Sequence, residues 1–240
     1  MTDWLERAAG PGGITLSLVY LELVLAVTLL TSVLHFRRLK ETRGELKAVR
    51  LYFLAVFGLF LVLPCALTFL TSARPLETLA GFGWTFGRVA LGLKLTLALL
   101  PVACLAGFSG ARDPGLRRMY PFAKEACSGT GRFVGYEVSY LFFYYLPWES
   151  VFRGVLFFPL VPAIGLIPAL AVQTAGATLM HIGHPDKEIF SAALSGPAFG
   201  LGAYATGSFF YPLVIHAAVG VVTDSLACRR LRREKACGSS

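Results

Sequence analysis

Charge is what this chain has least of. Only 15% of its 240 residues are Asp, Glu, Lys or Arg, against 55% hydrophobic, and the mean hydropathy is +0.65. So few charges in so apolar a chain exclude an ordinary soluble domain. Cysteine is sparse as well. There are five, an odd number: Cys65, Cys104, Cys127, Cys228 and Cys237. No pair has metal-ligand spacing, which excludes a structural zinc site, and no disulfide framework is expected. A basic leader is missing too. The residues before the first apolar block hold Asp3, Glu6 and a single Arg7, so the spacing predicts a retained helix rather than a cleaved signal peptide.

What is present is a series of long apolar blocks, the mark of a polytopic membrane protein. The first runs from Ile14 to Phe36, the second from Leu51 to Ser72 and the third from Trp84 to Phe108. The fourth covers Phe133 to Leu160, the fifth Val161 to Met180, the sixth Ile189 to Thr206 and the seventh Phe209 to Leu226. The expected fold is therefore an all-α bundle of about seven transmembrane helices. Its organisation reads as an N-terminal membrane region (1–132), a core (133–226) and a basic tail (227–240). Sixteen of the 22 Lys and Arg residues lie in the loops after blocks one and three and in the tail. If each block crosses once, those three segments share a side. The positive-inside rule makes that side cytoplasmic, with the N-terminus outside and the C-terminus in the cytoplasm of a cell (on this pattern, bacterial inner) membrane. The same distribution disposes of nucleic acid as the reason for the +8 net charge, because topology already accounts for the basic residues. The partner that remains is membrane lipid.

Within the fourth block an acid and a guanidinium stand four residues apart, in Trp148-Glu149-Ser150-Val151-Phe152-Arg153-Gly154. Residues i and i+4 share a helix face, so Glu149 and Arg153 can pair and offset each other's burial. At 28 residues the block is roughly 42 Å of helix against a hydrocarbon core of roughly 30 Å. Pro147 predicts a bend there. His181 closes the fifth block, His216 lies inside the seventh, and Asp224 shares its helix face two turns on. An ionisable group in hydrocarbon marks a functional site by default. Blander readings stand beside this one. Glu149 and Arg153 read equally as a helix-locking ion pair, His181 as a helix-end cap, and His216 as a satisfied core histidine. Asp224 is a counter-charge for the tail or for Arg229, and His184 is a solvated loop residue. Glu22, Glu137 and Lys94 lack a patterned partner and read as snorkelling or structural.

These residues carry a resemblance. The chain resembles the CAAX-protease and bacteriocin-processing (CPBP, or Abi) family of intramembrane proteases, whose helices bear Glu-Glu-x-x-x-Arg, Phe-x-x-x-His and His-x-x-x-Asn. Trp148 to Gly154 is similar to the first motif, Ala177 to His181 to the second, and His216 to Gly220 to the third. Trp148 stands at the first Glu, the position usually assigned to water activation. Ala177 replaces the motif Phe, and Gly220 the Asn. The run His181-x-Gly183-His184-Pro185-x-x-Glu188, with Asp224 further on, resembles a single-Glu subgroup.

The resemblance implies a glutamic-type intramembrane endopeptidase acting on membrane-associated proteins or peptides. Glu149, His181 and His216 are its expected catalytic residues; Arg153, Asp224 and His184 support them. Glu149 is expected to take a proton from water, and the two histidines to orient that water and stabilise the oxyanion. No cofactor is expected, although Glu149, His181 and His216 with a water are also a zinc ligand set. Two other classes stay open: a catalytically inactive scaffold, favoured by Trp148 and Gly220, and a proton-coupled transporter. The tail Cys237-Gly238-Ser239-Ser240 lacks the aliphatic pair of a CaaX box, and prenylated substrates, a property of part of the family, are not assumed.

Overall fold

The computed structural model describes residues 14–23 and 36–237. Every regular element among them is helical. In chain order they are α1 (Ile14–Leu23), α2 (Phe36–Arg43), α3 (Glu45–Thr71), α4 (Pro75–Gly81), α5 (Val89–Arg112) and α6 (Pro114–Met119). After a short 3-10 turn at Lys124–Ser128 come α7 (130–155), α8 (Leu160–Ile164), α9 (Leu166–Leu179), α10 (Asp186–Thr206) and α11 (Phe210–Cys237). Three of them, α3, α5 and α11, are long and apolar enough to cross a membrane. Most of the first apolar block, 24–35, and the expected external N-terminus, 1–13, lie outside the described residues, as do the last three residues of the tail.

Two of the expected blocks are drawn differently. The fourth does not run unbroken from Phe133 to Leu160. Its helix starts at Thr130 and ends at Val155, and α8 begins at Leu160. Nor is Pro147 a simple kink. The helix widens to π geometry at Leu141–Tyr145 and again at Ser150–Val155, either side of Leu146–Glu149. A proline ring would meet the carbonyl four residues back and offers no donor to it, and widening the preceding turn accommodates both without ending the helix. The seventh block and the basic tail are one continuous helix, so 226/227 is not a break in the backbone.

Small residues set how closely the helices approach, as they do where lipid removes the hydrophobic drive between helices. A Cβ on Gly107 of α5 would lie 2.6 Å from the Val219 carbonyl oxygen of α11. A Cβ on Gly196 of α10 would meet Thr174 of α9 at 2.7 Å, and the buried Gln173 amide donates to the Gly196 carbonyl at 2.9 Å. An aromatic cluster from α3, α7 and the α6–α7 loop fills the space beside α7. Phe53 stacks on Tyr140 at 4.9 Å and Tyr144 on Trp148 at 5.5 Å.

The polar segments gather at one end. The Lys124 amide donates to Glu45 at 2.7 Å, Arg232 Nε to the Cys127 carbonyl at 2.6 Å, and Lys187 Nζ to Ser109 Oγ at 3.0 Å. Cys127 and Cys228 are disulfide-bonded there, which corrects the expectation of no disulfide. Sequence separation hid the pair: the two are 101 positions apart, and only the packing of the 3-10 turn on α11 brings them together. At the opposite end Arg88 N donates to Thr206 O at 2.8 Å, and Tyr211 Oη to Phe86 O at 2.7 Å.

Candidate active site

One cavity of about 210 Å³ lies between α5, α7, α9, α10 and α11, and His181, Arg153, His216, Glu188 and Asp224 all line it. Glu149 sits directly behind His216. Its side chain is fully buried, and Oε1 accepts from His216 Nδ1 at 2.6 Å. Oε2 lies 3.3 Å from Arg153 Nε, the i,i+4 pairing that the sequence spacing requires. A carboxylate on Nδ1 fixes the tautomer, leaving Nε2 for the cavity. The Arg153 guanidinium also lies 5.3 Å from the centre of the Phe199 ring.

His181 is not part of that unit. Its Nδ1 donates to the Ala177 carbonyl at 2.8 Å, one turn back, and its Nε2 faces Glu188 Oε1 at 3.8 Å. Glu188 also takes the Tyr120 hydroxyl at 2.5 Å and His184 Nδ1 at 3.1 Å. His184 is therefore not a solvated loop residue; the turn before α10 folds it inward until 14% of its side chain is exposed. The sequence singled out His184 and quoted Glu188, but gave no reason to join them to Tyr120, which is 68 residues from Glu188.

Asp224 is fully buried and lies against Glu137, with Tyr136 also at hand. Among the described residues it makes no ion pair with the tail, and the Nδ1 of His216 belongs to Glu149. α7 and α11 pack so that Asp224 and Glu137 lie near each other, and neither carboxylate has a hydrogen-bond partner among the described residues. Lys124, in the loop beside them, donates to the Arg117 and Tyr120 carbonyls. Burial pulls its ammonium down to about 8, against the upward pull of Asp224. Glu22 and Lys94 are exposed on their helices.

Two of the three departures from the family motifs, Trp148 and Gly220, each have a local cause. The Trp148 ring packs edge-on against His181 with centroids 5.3 Å apart, filling the place of a first glutamate. At Gly220 an added Cβ would lie 1.7 Å from Tyr145 Oη, so the tyrosine hydroxyl occupies the space of a longer side chain. The Tyr145 ring also meets His216 at 4.9 Å. Tyr145 was legible in the sequence only as one of an aromatic run.

Among the described residues no group of three His, Cys, Asp or Glu side chains is arranged to hold a metal ion; the two histidines face different carboxylates. The arrangement offers instead two imidazole–carboxylate pairs across a small cavity, one with a fixed cation and one without.

Comparison with known proteins agrees with the motif reading. A protein-family model described as "Type II CAAX prenyl endopeptidase Rce1-like" matches residues 134–222, which run from α7 into α11 and include Glu149, Arg153, His181, Glu188 and His216 but neither Tyr120 nor Asp224. No curated protein and no solved structure matches the chain. The match supports an intramembrane protease of multi-pass helical type. Across 134–222, less than half of its length, the chain is similar to the Rce1-like endopeptidases of the CPBP type.

Proposed function

We propose that the protein is an intramembrane endopeptidase that hydrolyses membrane-associated peptides or proteins with a glutamate-activated water. One observation carries the reading: His181 and His216 line a single cavity, and Glu149 is bonded behind His216 at 2.6 Å. Glu149 has no exposed surface, so it acts through His216. Water reaches His216 Nε2 from the cavity and gives up its proton there. Glu149 stabilises the imidazolium that forms, as a buried acid does in a Ser-His-Asp triad. Arg153 keeps Glu149 ionised and oriented. His181 faces the substrate from the opposite wall. Residues 133–226 carry this chemistry, 1–132 complete the bundle, and 227–240 lie on the cytoplasmic side of the cell membrane. Lipid surrounds the bundle, and no metal takes part.

The test uses the full chain in proteoliposomes with membrane-anchored peptides. Farnesylated peptides ending in Cys-aliphatic-aliphatic-X come first, because the matched family model is described by that substrate, and unprenylated membrane peptides second. Cleavage by the wild type is expected, with Glu149→Gln folded, inserted and slower by roughly two orders of magnitude. Wild-type rates in Glu149→Gln would reduce Glu149 to an ion-pair partner and end this mechanism. Strong chelators are expected to leave cleavage intact. Inactivation that zinc reverses would establish a metalloprotease instead.

A further inference from the structure

Among the described residues Glu149 and Glu188 are the two acids paired with the site's histidines, and they are balanced differently. Glu149 has Arg153 beside it, a cation that does not give up its proton. Among the described residues Glu188 has no lysine or arginine within ion-pair distance; its adjacent Lys187 reaches away to Ser109. Its neighbours are all proton carriers: Tyr120 at 2.5 Å, His184 at 3.1 Å and His181 at 3.8 Å. A largely buried carboxylate without a fixed cation is costly unless a proton on it or beside it offsets the charge. Tyr120, His184 and Glu188 are therefore built to hold one proton among them.

The cluster also sits where a proton is needed. Between His181 Nε2 and Glu188 Oε1 the 3.8 Å separation is too long for a direct hydrogen bond. One atom lying between them is within bonding reach of both. Glu188 Oε2 is buried without a hydrogen-bond partner among the described residues. No acid from α7 serves this wall, because the residue facing His181 from that helix is Trp148.

We infer that Glu188 is the second working carboxylate of the site, and that with His184 it supplies the proton taken by the leaving nitrogen when the peptide bond breaks. The inference rests on the endopeptidase reading above. In the reaction, the water oxygen bonds to the carbonyl carbon and its proton passes to His216 Nε2. The tetrahedral intermediate collapses, the C–N bond breaks, and its electron pair stays on nitrogen. That nitrogen, between His181 Nε2 and Glu188 Oε1, takes the proton held by Glu188 and His184. One water is consumed, an acid and an amine are released, and the proton on His216 returns through the cavity to recharge the cluster.

The leaving group provides the test. An ester leaves as an alkoxide that needs less protonation than an amine, so loss of a proton donor should hurt an amide far more than an ester. The probe is a farnesylated peptide ending in Cys-aliphatic-aliphatic-X, made with either an amide or an ester at the scissile position. It is assayed with the full chain in proteoliposomes. With Glu188→Gln, kcat on the amide is expected to fall by roughly a hundredfold with KM unchanged, and the loss on the ester to stay within about tenfold. Glu149→Gln should lose both substrates. Equal loss of amide and ester by Glu188→Gln would make Glu188 structural, and wild-type amide cleavage would make it idle. Either result overturns the inference while wild-type cleavage keeps the endopeptidase reading standing. If the wild type cleaves neither form, the reading fails on this substrate and takes the inference with it. If Glu188→Gln does not fold, Glu188→Asp takes its place. It keeps the acid one methylene short, and the same amide-over-ester loss is expected; equal loss again refutes.

Discussion

At the scale of single residues, the departures from the family motifs are the most informative positions. Adding any side chain at Gly220, where the motif has Asn, should do harm. Gly220→Ala places a methyl where Tyr145 Oη already lies, 1.7 Å from the ideal Cβ. Overpacking of this kind costs ~1–3 kcal/mol. A lower thermal midpoint in detergent and slower cleavage are expected, and Tyr145→Phe in the same chain should return part of the lost stability by removing that oxygen. Unchanged stability of Gly220→Ala would show that Tyr145 moves freely. Arg153→Ala tests the ion pair. It strands Glu149 in a site with no exposed surface, for which a loss of ~3–5 kcal/mol is typical, while Arg153→Ala with Glu149→Gln should recover most of the fold. A double variant no more stable than Arg153→Ala alone would remove the electrostatic explanation. The Glu149–Arg153 pairing was legible because i,i+4 spacing on a helix is a local rule. The Glu188 cluster was not, because Tyr120, His181 and Glu188 come from a loop, a helix end and a helix start, and nothing local joins them.

At the scale of elements, α11 is the piece on which the site depends, since it carries His216, Gly220 and Asp224 on one helix. It is held against α5 by small residues. A side chain at Gly107 would run into the Val219 carbonyl at 2.6 Å and Val222 Cβ at 2.8 Å. Backbone cannot yield as a flexible side chain does, so Gly107→Val should push the two helices apart. The expected result is a loss of at least ~1–3 kcal/mol together with lost cleavage, although residue 107 touches neither histidine. Cleavage at the wild-type rate with an unchanged thermal midpoint would mean that α5 does not set the position of α11. Apolar block length revealed α3, α5 and α11 in the sequence, because membrane thickness imposes it. The form taken at Pro147 was less legible. A proline announces a disturbance, but bending and widening into π turns satisfy the same missing donor, and neighbouring packing selects between them.

At the scale of the whole molecule, the arrangement of ends bears on orientation. The segments assigned to the cytoplasm by their basic residues meet in space, through Glu45 with Lys124 and Arg232 with Cys127. Contacts near 82–88 and 206–211 form the other end. Such alternation is expected if each block crosses once, and the positive-inside rule then puts the basic end in the cytoplasm. Reporter fusions at Gly44, at Gly115 and after Ser240 should all report cytoplasm, and an external signal at Gly115 would break the seven-crossing arrangement. The Cys127–Cys228 bond lies at this same end and gives an independent reading of it. Cytosolic thiols are kept reduced, whereas an external compartment lets a disulfide form and persist. With the basic end inside, acid-quenched cells treated with a thiol-reactive mass tag should show Cys127 and Cys228 as thiols that join after extraction without reductant. Finding the pair already bonded in intact cells would place that end outside.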